Sequence, residues 1–141
     1  MNLRRTILMK IIITLMIIAL VNCTRTTTEV PTDCFKLWSG KDPDADTKIV
    51  HAKYWQSGKL LKEYSLFMEL QPSPAWQKEF MRENKLVEID DDDEWTVPKD
   101  APAWFKPSTN YKIMKLPLPY GESRYFVDSL TNHMFIFEIE I

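Results

Sequence analysis

His133-Met134-Phe135-Ile136-Phe137-Glu138-Ile139-Glu140-Ile141 is the stretch that decides the fold. Phe135, Phe137, Ile139 and Ile141 recur at every second position, with Glu138 and Glu140 between them. A period of two places the apolar set on one face of a β-strand and predicts a core beneath it. Just upstream, Arg124 to Asp128 reads as a partner strand, and Ser129-Leu130-Thr131-Asn132 supplies the turn of a hairpin. Further back, Tyr111 to Leu116 reads as another strand, broken by the Pro-rich run to Gly121.

A second strand pair lies nearer the N-terminus. Lys48 to Trp55 and Lys59 to Gln71 flank Gln56-Ser57-Gly58, a turn signal. In the second run Leu60, Lys62, Tyr64, Leu66, Met68 and Leu70 form a mostly apolar set that should face the core. Pro72-Ser73-Pro74 then opens a helix predicted over 74–83. Ser73 is the N-cap and Pro74 the first helical residue, where its missing N–H costs nothing. Trp76, Phe80 and Met81 give that helix an apolar face, and Asn84 ends it. Leu86 to Ile89 reads as a short strand. The expected class is α+β, an antiparallel sheet of about five strands with one packed helix.

Asp90 to Glu94 form an acidic run that should stay in solvent. The following stretch to Pro107 carries Pro98, Pro102 and Pro107, which exclude regular structure throughout, yet it holds Trp95, Trp104 and Phe105. Packing is the ordinary fate of such aromatics. The functional alternative is a partner-binding surface made of Trp95, Trp104 and Phe105, with the neighbouring acids favouring a basic partner.

The first 22 residues differ in composition from the rest. They contain Arg4, Arg5 and Lys10, no acid, and an apolar run from Ile11 to Val21 broken only by Thr14. This is the pattern of a secretory signal, and the run is short of the roughly 20 residues a membrane-spanning helix needs. At its end, Leu20-Val21-Asn22-Cys23 resembles the lipobox of bacterial lipoproteins, with Asn22 standing where Gly, Ala or Ser is common in the family. The resemblance is confined to this segment. It implies cleavage before Cys23, lipid (palmitate among it) on that cysteine, and a cell-envelope location. Thr24, where an Asp would retain the protein in the inner membrane, implies the outer membrane. Thr24 to Asp33 are small, polar and β-branched with Pro31 included, and read as a tether. The organisation expected is therefore a signal at 1–22, a lipidated tether at 23–34 and a single domain at 35–141.

Charge narrows the partners. With Arg4, Arg5 and Lys10 removed, the 18 basic side chains fall to 15 against 20 acidic ones, a net charge of −5. A mildly acidic domain without a basic cluster is not a nucleic-acid binder, and membrane affinity must come from the lipid. Lipid on Cys23 leaves Cys34 as an odd thiol; without lipid, a Cys23–Cys34 disulfide is the competing reading.

No motif for catalysis emerges. His51 and His133 could in principle meet Ser65, Ser108, Ser123 or Ser129, but nothing like Gly-x-Ser-x-Gly is present. Asp42, Asp44 and Asp46 alternate as calcium ligands do, and the pattern then fails at Thr47 and Lys53. Glycines at 40, 58 and 121 are too scattered for a phosphate loop. The expected function is a membrane-tethered, non-catalytic envelope lipoprotein that binds another protein, of the assembly-factor or immunity and inhibitor type, with no cofactor and no metal. The alternatives are a small envelope hydrolase using His51 or His133, and a structural lipoprotein that acts through self-association, one version of which uses a disulfide through Cys34.

Overall fold

A computed structural model describes residues 24–59, 61–89, 95–117 and 122–140. The predicted signal, Cys23 and the acidic run at 90–94 lie outside the described residues. The chain is α+β, in the order β1 (Thr26–Thr28), α1 (Pro31–Ser39), β2 (Lys48–Gln56), β3 (Tyr64–Gln71), α2 (Pro74–Glu83), β4 (Val87–Glu88), β5 (Lys112–Lys115), β6 (Arg124–Val127) and β7 (Met134–Glu140). All strand pairs are antiparallel, and they form one sheet ordered β1-β2-β3-β7-β6-β5-β4. No helix among the described residues is long and apolar enough to cross a membrane.

The sheet thus has seven strands rather than five. The short strand expected at Leu86 to Ile89 is β4 at one edge, and the unforeseen strand is β1 at the other, whose Thr26 and Thr28 sit opposite Gln56 and Tyr54 of β2. Strands of two and three residues are too short to show a period, so their existence depends on the neighbour they pair with. The β2–β3 connection is also longer than a tight turn. It is closed by Ser57 donating its N–H to the Glu63 carbonyl at 2.8 Å and by Glu63 N–H donating to Ser57 Oγ at 3.0 Å.

The segment expected to be a tether is structured: β1 lies within it, and a second helix begins at Pro31. The domain therefore starts well before residue 35. Pro31 takes the first helical turn of α1, and Gly40 ends it in the left-handed region at φ 75°, its N–H returning to the Lys36 carbonyl. Its apolar side places Cys34 and Phe35 in the core with no exposed surface. The Cys34 thiol donates to the Thr28 carbonyl at 3.3 Å, and burial raises its pKa to about 11. A buried, protonated thiol is a poor nucleophile, and Cys34 has no exposed surface in this fold.

Both faces of the sheet are covered. On one, Leu66, Met68, Leu70, Met134 and Ile136 have no exposed surface and pack beneath α1 and α2. Burying each such side chain contributes about 1.5–3 kcal/mol. On the other, Phe67, Phe126, Phe135 and Phe137 pack beneath the 95–113 segment. The alternation in β7 is thus correct in period, but its second face is not solvated. Met134 and Ile136 lie under the helices, and Glu138 follows them onto that same side.

Candidate functional site

The aromatic stretch packs against the sheet. Turns closed by Ala101 N–H to the Pro98 carbonyl and Phe105 N–H to the Pro102 carbonyl aim Phe105 inward. Phe105 is 2% exposed and meets Phe67 at 5.1 Å and Phe135 at 5.5 Å, both edge-on. It is a core residue, not a partner contact: a large ring gains more from removal from water than a mobile loop would keep by exposing it. Trp95 leans on Phe126, and Trp104 stacks on His51 at 5.2 Å. Both are half-buried, so only part of the expected surface remains available.

The two histidines converge on one carboxylate. An irregularity in the β2–β3 register between Ile49 and His51 sets His51 opposite Glu69. His51 Nδ1 lies 2.8 Å from Glu69 Oε2, and His133 Nε2 lies 3.0 Å from Glu69 Oε1. The Tyr111 hydroxyl, 2.6 Å from His133 Nδ1, completes the chain. Glu69 as a carboxylate can only accept, so a neutral His133 carries its proton on Nε2 and leaves Nδ1 to accept from the phenol. Among the described residues neither histidine is hydrogen-bonded to a serine; the hydroxyl on His133 is the phenol. Burial first, then the charges of Asp128 and Glu69, raise the Tyr111 pKa, so this hydroxyl stays protonated and is a poor nucleophile. The cluster ties β2 and β3 to the turn that leads into β7, beside Trp104. Among the described residues no group of three or more His, Cys, Asp or Glu is placed to hold a metal ion.

The more capable site lies on the opposite face. Glu138 of β7 accepts three hydrogen bonds from three elements: Trp38 Nε1 of α1 at 2.6 Å, the Tyr64 hydroxyl of β3 at 2.8 Å, and the Tyr125 hydroxyl of β6. The carboxylate forms the floor of a cleft of about 520 Å³ between α1 and α2, walled by Phe35, Trp38, Tyr64, Trp76 and Phe80. Trp76 and Phe80, one turn apart on α2, stack at 5.0 Å, and Trp38 meets Phe80 at 5.7 Å. Glu79, Glu83 and Lys41 also line the opening. A second cleft, of about 550 Å³, lies elsewhere and already carries its own cation, Arg25 set 5.7 Å from the Trp55 ring.

The same arrangement perturbs its phenols. Burial first, and then the Glu138 charge, push the pKa values of Tyr64 and Tyr125 far above 10.0. The unfolded chain ionises these groups near the ordinary value while the folded chain keeps them protonated. Stability is therefore full below the ordinary tyrosine value and falls as pH rises above it, by up to about 1.4 kcal/mol per pH unit for each phenol. Tyr54 and Tyr111 shift in the same direction. Thermal melts from about pH 9 to pH 11 should show the decline, less steep in the Tyr64→Phe/Tyr125→Phe double variant. A wild-type melting temperature flat across that range would contradict the linkage.

No local motif announces this site, because its polar members lie on four separate elements. The one sequence signal is an acid embedded in the most apolar strand of the chain. Neither a family model, nor a curated protein, nor a solved structure matches the chain.

Proposed function

We propose that this protein is a membrane-tethered, non-catalytic binding protein of the cell envelope, held by lipid on Cys23, with the outer membrane favoured, and recognising a protein partner through the α1–α2 cleft. The observation that carries the binding reading is the cleft itself: aromatic walls around a carboxylate oriented by three donors. The cleft sets aromatic side chains beside several polar and charged ones, and its volume lies in the range of about 300–1,000 Å³ usual for ligand pockets. Held donors lower the cost of ordering the site when a ligand arrives.

The anchor reading rests on Leu20-Val21-Asn22-Cys23. Thr26 already belongs to β1, so Thr24 and Arg25 are the whole spacer. An extended chain reaches at most about 3.6 Å per residue, which seats the domain directly on the membrane surface rather than holding it away.

One experiment in cells reads both parts. Full-length protein is labelled with palmitate beside Cys23→Ser, and p-benzoylphenylalanine replaces either Lys41 at the cleft or Leu130 at the β6–β7 turn, 91% exposed. The expected result is label in wild type and none in Cys23→Ser, with a discrete photo-adduct from position 41 and none from 130. Label in neither protein would sink the anchor. Equal adducts from both positions, or adducts from neither, would sink the cleft as the partner site.

A further inference from the structure

We infer that the α1–α2 cleft recognises a cationic side chain of its partner, an arginine guanidinium, with Glu138 as the counter-charge. The inference rests on the cleft being a recognition site and names what enters it.

The chemistry of the floor selects the class of ligand. All three donors to Glu138 are neutral, an indole N–H and two phenols, so they orient the carboxylate without cancelling its charge. Oε2 takes two of the three bonds and Oε1 one. A carboxylate oxygen can accept two in its plane, which leaves an acceptor position on Oε1 for a further donor. An anion would be repelled here, and a purely apolar group would strip water from the charge without replacing it. A cation meets neither penalty.

The walls point the same way. Trp38, Trp76 and Phe80 line the cleft with partly exposed aromatic rings, whose negative quadrupole attracts a cation. Three carboxylates, Glu79, Glu83 and Glu138, are among the lining residues, against one ammonium, Lys41; Glu79 is already paired with Arg82, so the excess of negative charge rests on Glu83 and Glu138. Arginine suits the site better than lysine. Its planar group stacks on rings while donating in plane to a carboxylate, and it carries a smaller hydration shell into the cleft. The comparison cleft shows this chemistry within the chain itself, where Arg25 lies over Trp55. A net charge of −5 for the chain after the signal draws a basic partner towards it.

The test uses full-length protein in neutral detergent micelles and follows the Trp38 indole N–H resonance by NMR. The probes are the peptides acetyl-Gly-Arg-Gly-amide and acetyl-Gly-citrulline-Gly-amide, which match in shape and differ in charge. The arginine peptide should shift the resonance saturably, and citrulline should bind about tenfold more weakly or worse, as loss of a charge-assisted bond requires. Glu138→Gln should weaken the arginine peptide by about tenfold or more, while Lys41→Gln, which removes a like charge at the opening, should tighten it about two- to threefold. Lys41→Gln keeps the test decisive if Glu138→Gln fails to fold. Equal binding of the two peptides, or no change in Lys41→Gln, overturns the cation assignment and leaves the cleft a recognition site. No shift from either peptide also overturns it, and the adduct from position 41 then decides separately whether the cleft binds a partner at all.

Discussion

Glu138→Ala is expected to lose about 3–5 kcal/mol of folding stability in urea denaturation, because one truncation strips the acceptor from three donors at once. The three do not weigh equally. Tyr125 is 1% exposed, and its hydroxyl would be stranded with the full desolvation cost of about 1–3 kcal/mol. Trp38 and Tyr64 border the cleft and recover part of their bonding from water. Removing the carboxylate also relieves the cost of holding a charge partly out of water, which keeps the total below the sum of three full losses. A double-mutant cycle separates these effects. Tyr125→Phe alone should cost about 1–2 kcal/mol, and in the Glu138→Ala background it should cost little or nothing, since the bond it removes is already gone. Additive losses, or a Glu138→Ala loss below about 1 kcal/mol, would show that water replaces the carboxylate and that the floor is not preorganised.

Phe105→Ala should be of similar size, about 3–5 kcal/mol, for a different reason. Its ring fills the space between the 95–113 segment and the phenylalanines of β3, β6 and β7, at 5.1 Å from Phe67, 5.5 Å from Phe135 and 6.1 Å from Phe126. Truncation leaves a cavity that Pro98 and Pro102 hinder the segment from closing. Trp104→Ala should cost clearly less, because Trp104 is half-buried and stacks on the exposed His51. Equilibrium urea unfolding compares the two. A Phe105→Ala variant as stable as wild type but unable to form the photo-adduct would restore the aromatic segment as the recognition surface.

Some elements are legible in the chain because their determinants are local. Ser73 accepts the N–H of Trp76 at 3.2 Å, and α2 runs from Pro74 to Glu83 as cap and proline imply. The β6–β7 hairpin follows from the period of two and a turn with Asn132 at φ 57°. By contrast α1 lacks the usual opening, since Val30 at its N-cap makes no side-chain cap. A nine-residue helix is too short to stand alone in water and forms because Cys34 and Phe35 dock onto the sheet. Its local marks are Pro31 at the start and Gly40 just past the end, with Asp33 in the first turn and Lys36 in the last.

Sequence by itself determined the periods, caps and turns, hence the α+β class, the antiparallel pairing and the place of α2. It also holds the lipobox-like segment at its start. Only the tertiary structure decided that both faces of the sheet are covered, that Phe105 lies inside, and that His51 and His133 share Glu69. The cleft floor is the extreme case, where Trp38 reaches Glu138 across 100 positions of chain. Periods and caps are written in neighbouring residues, whose spacing alone sets which face they share. A site assembled from two helices and three strands depends on sheet register and helix docking, and those follow from the packing of the whole core.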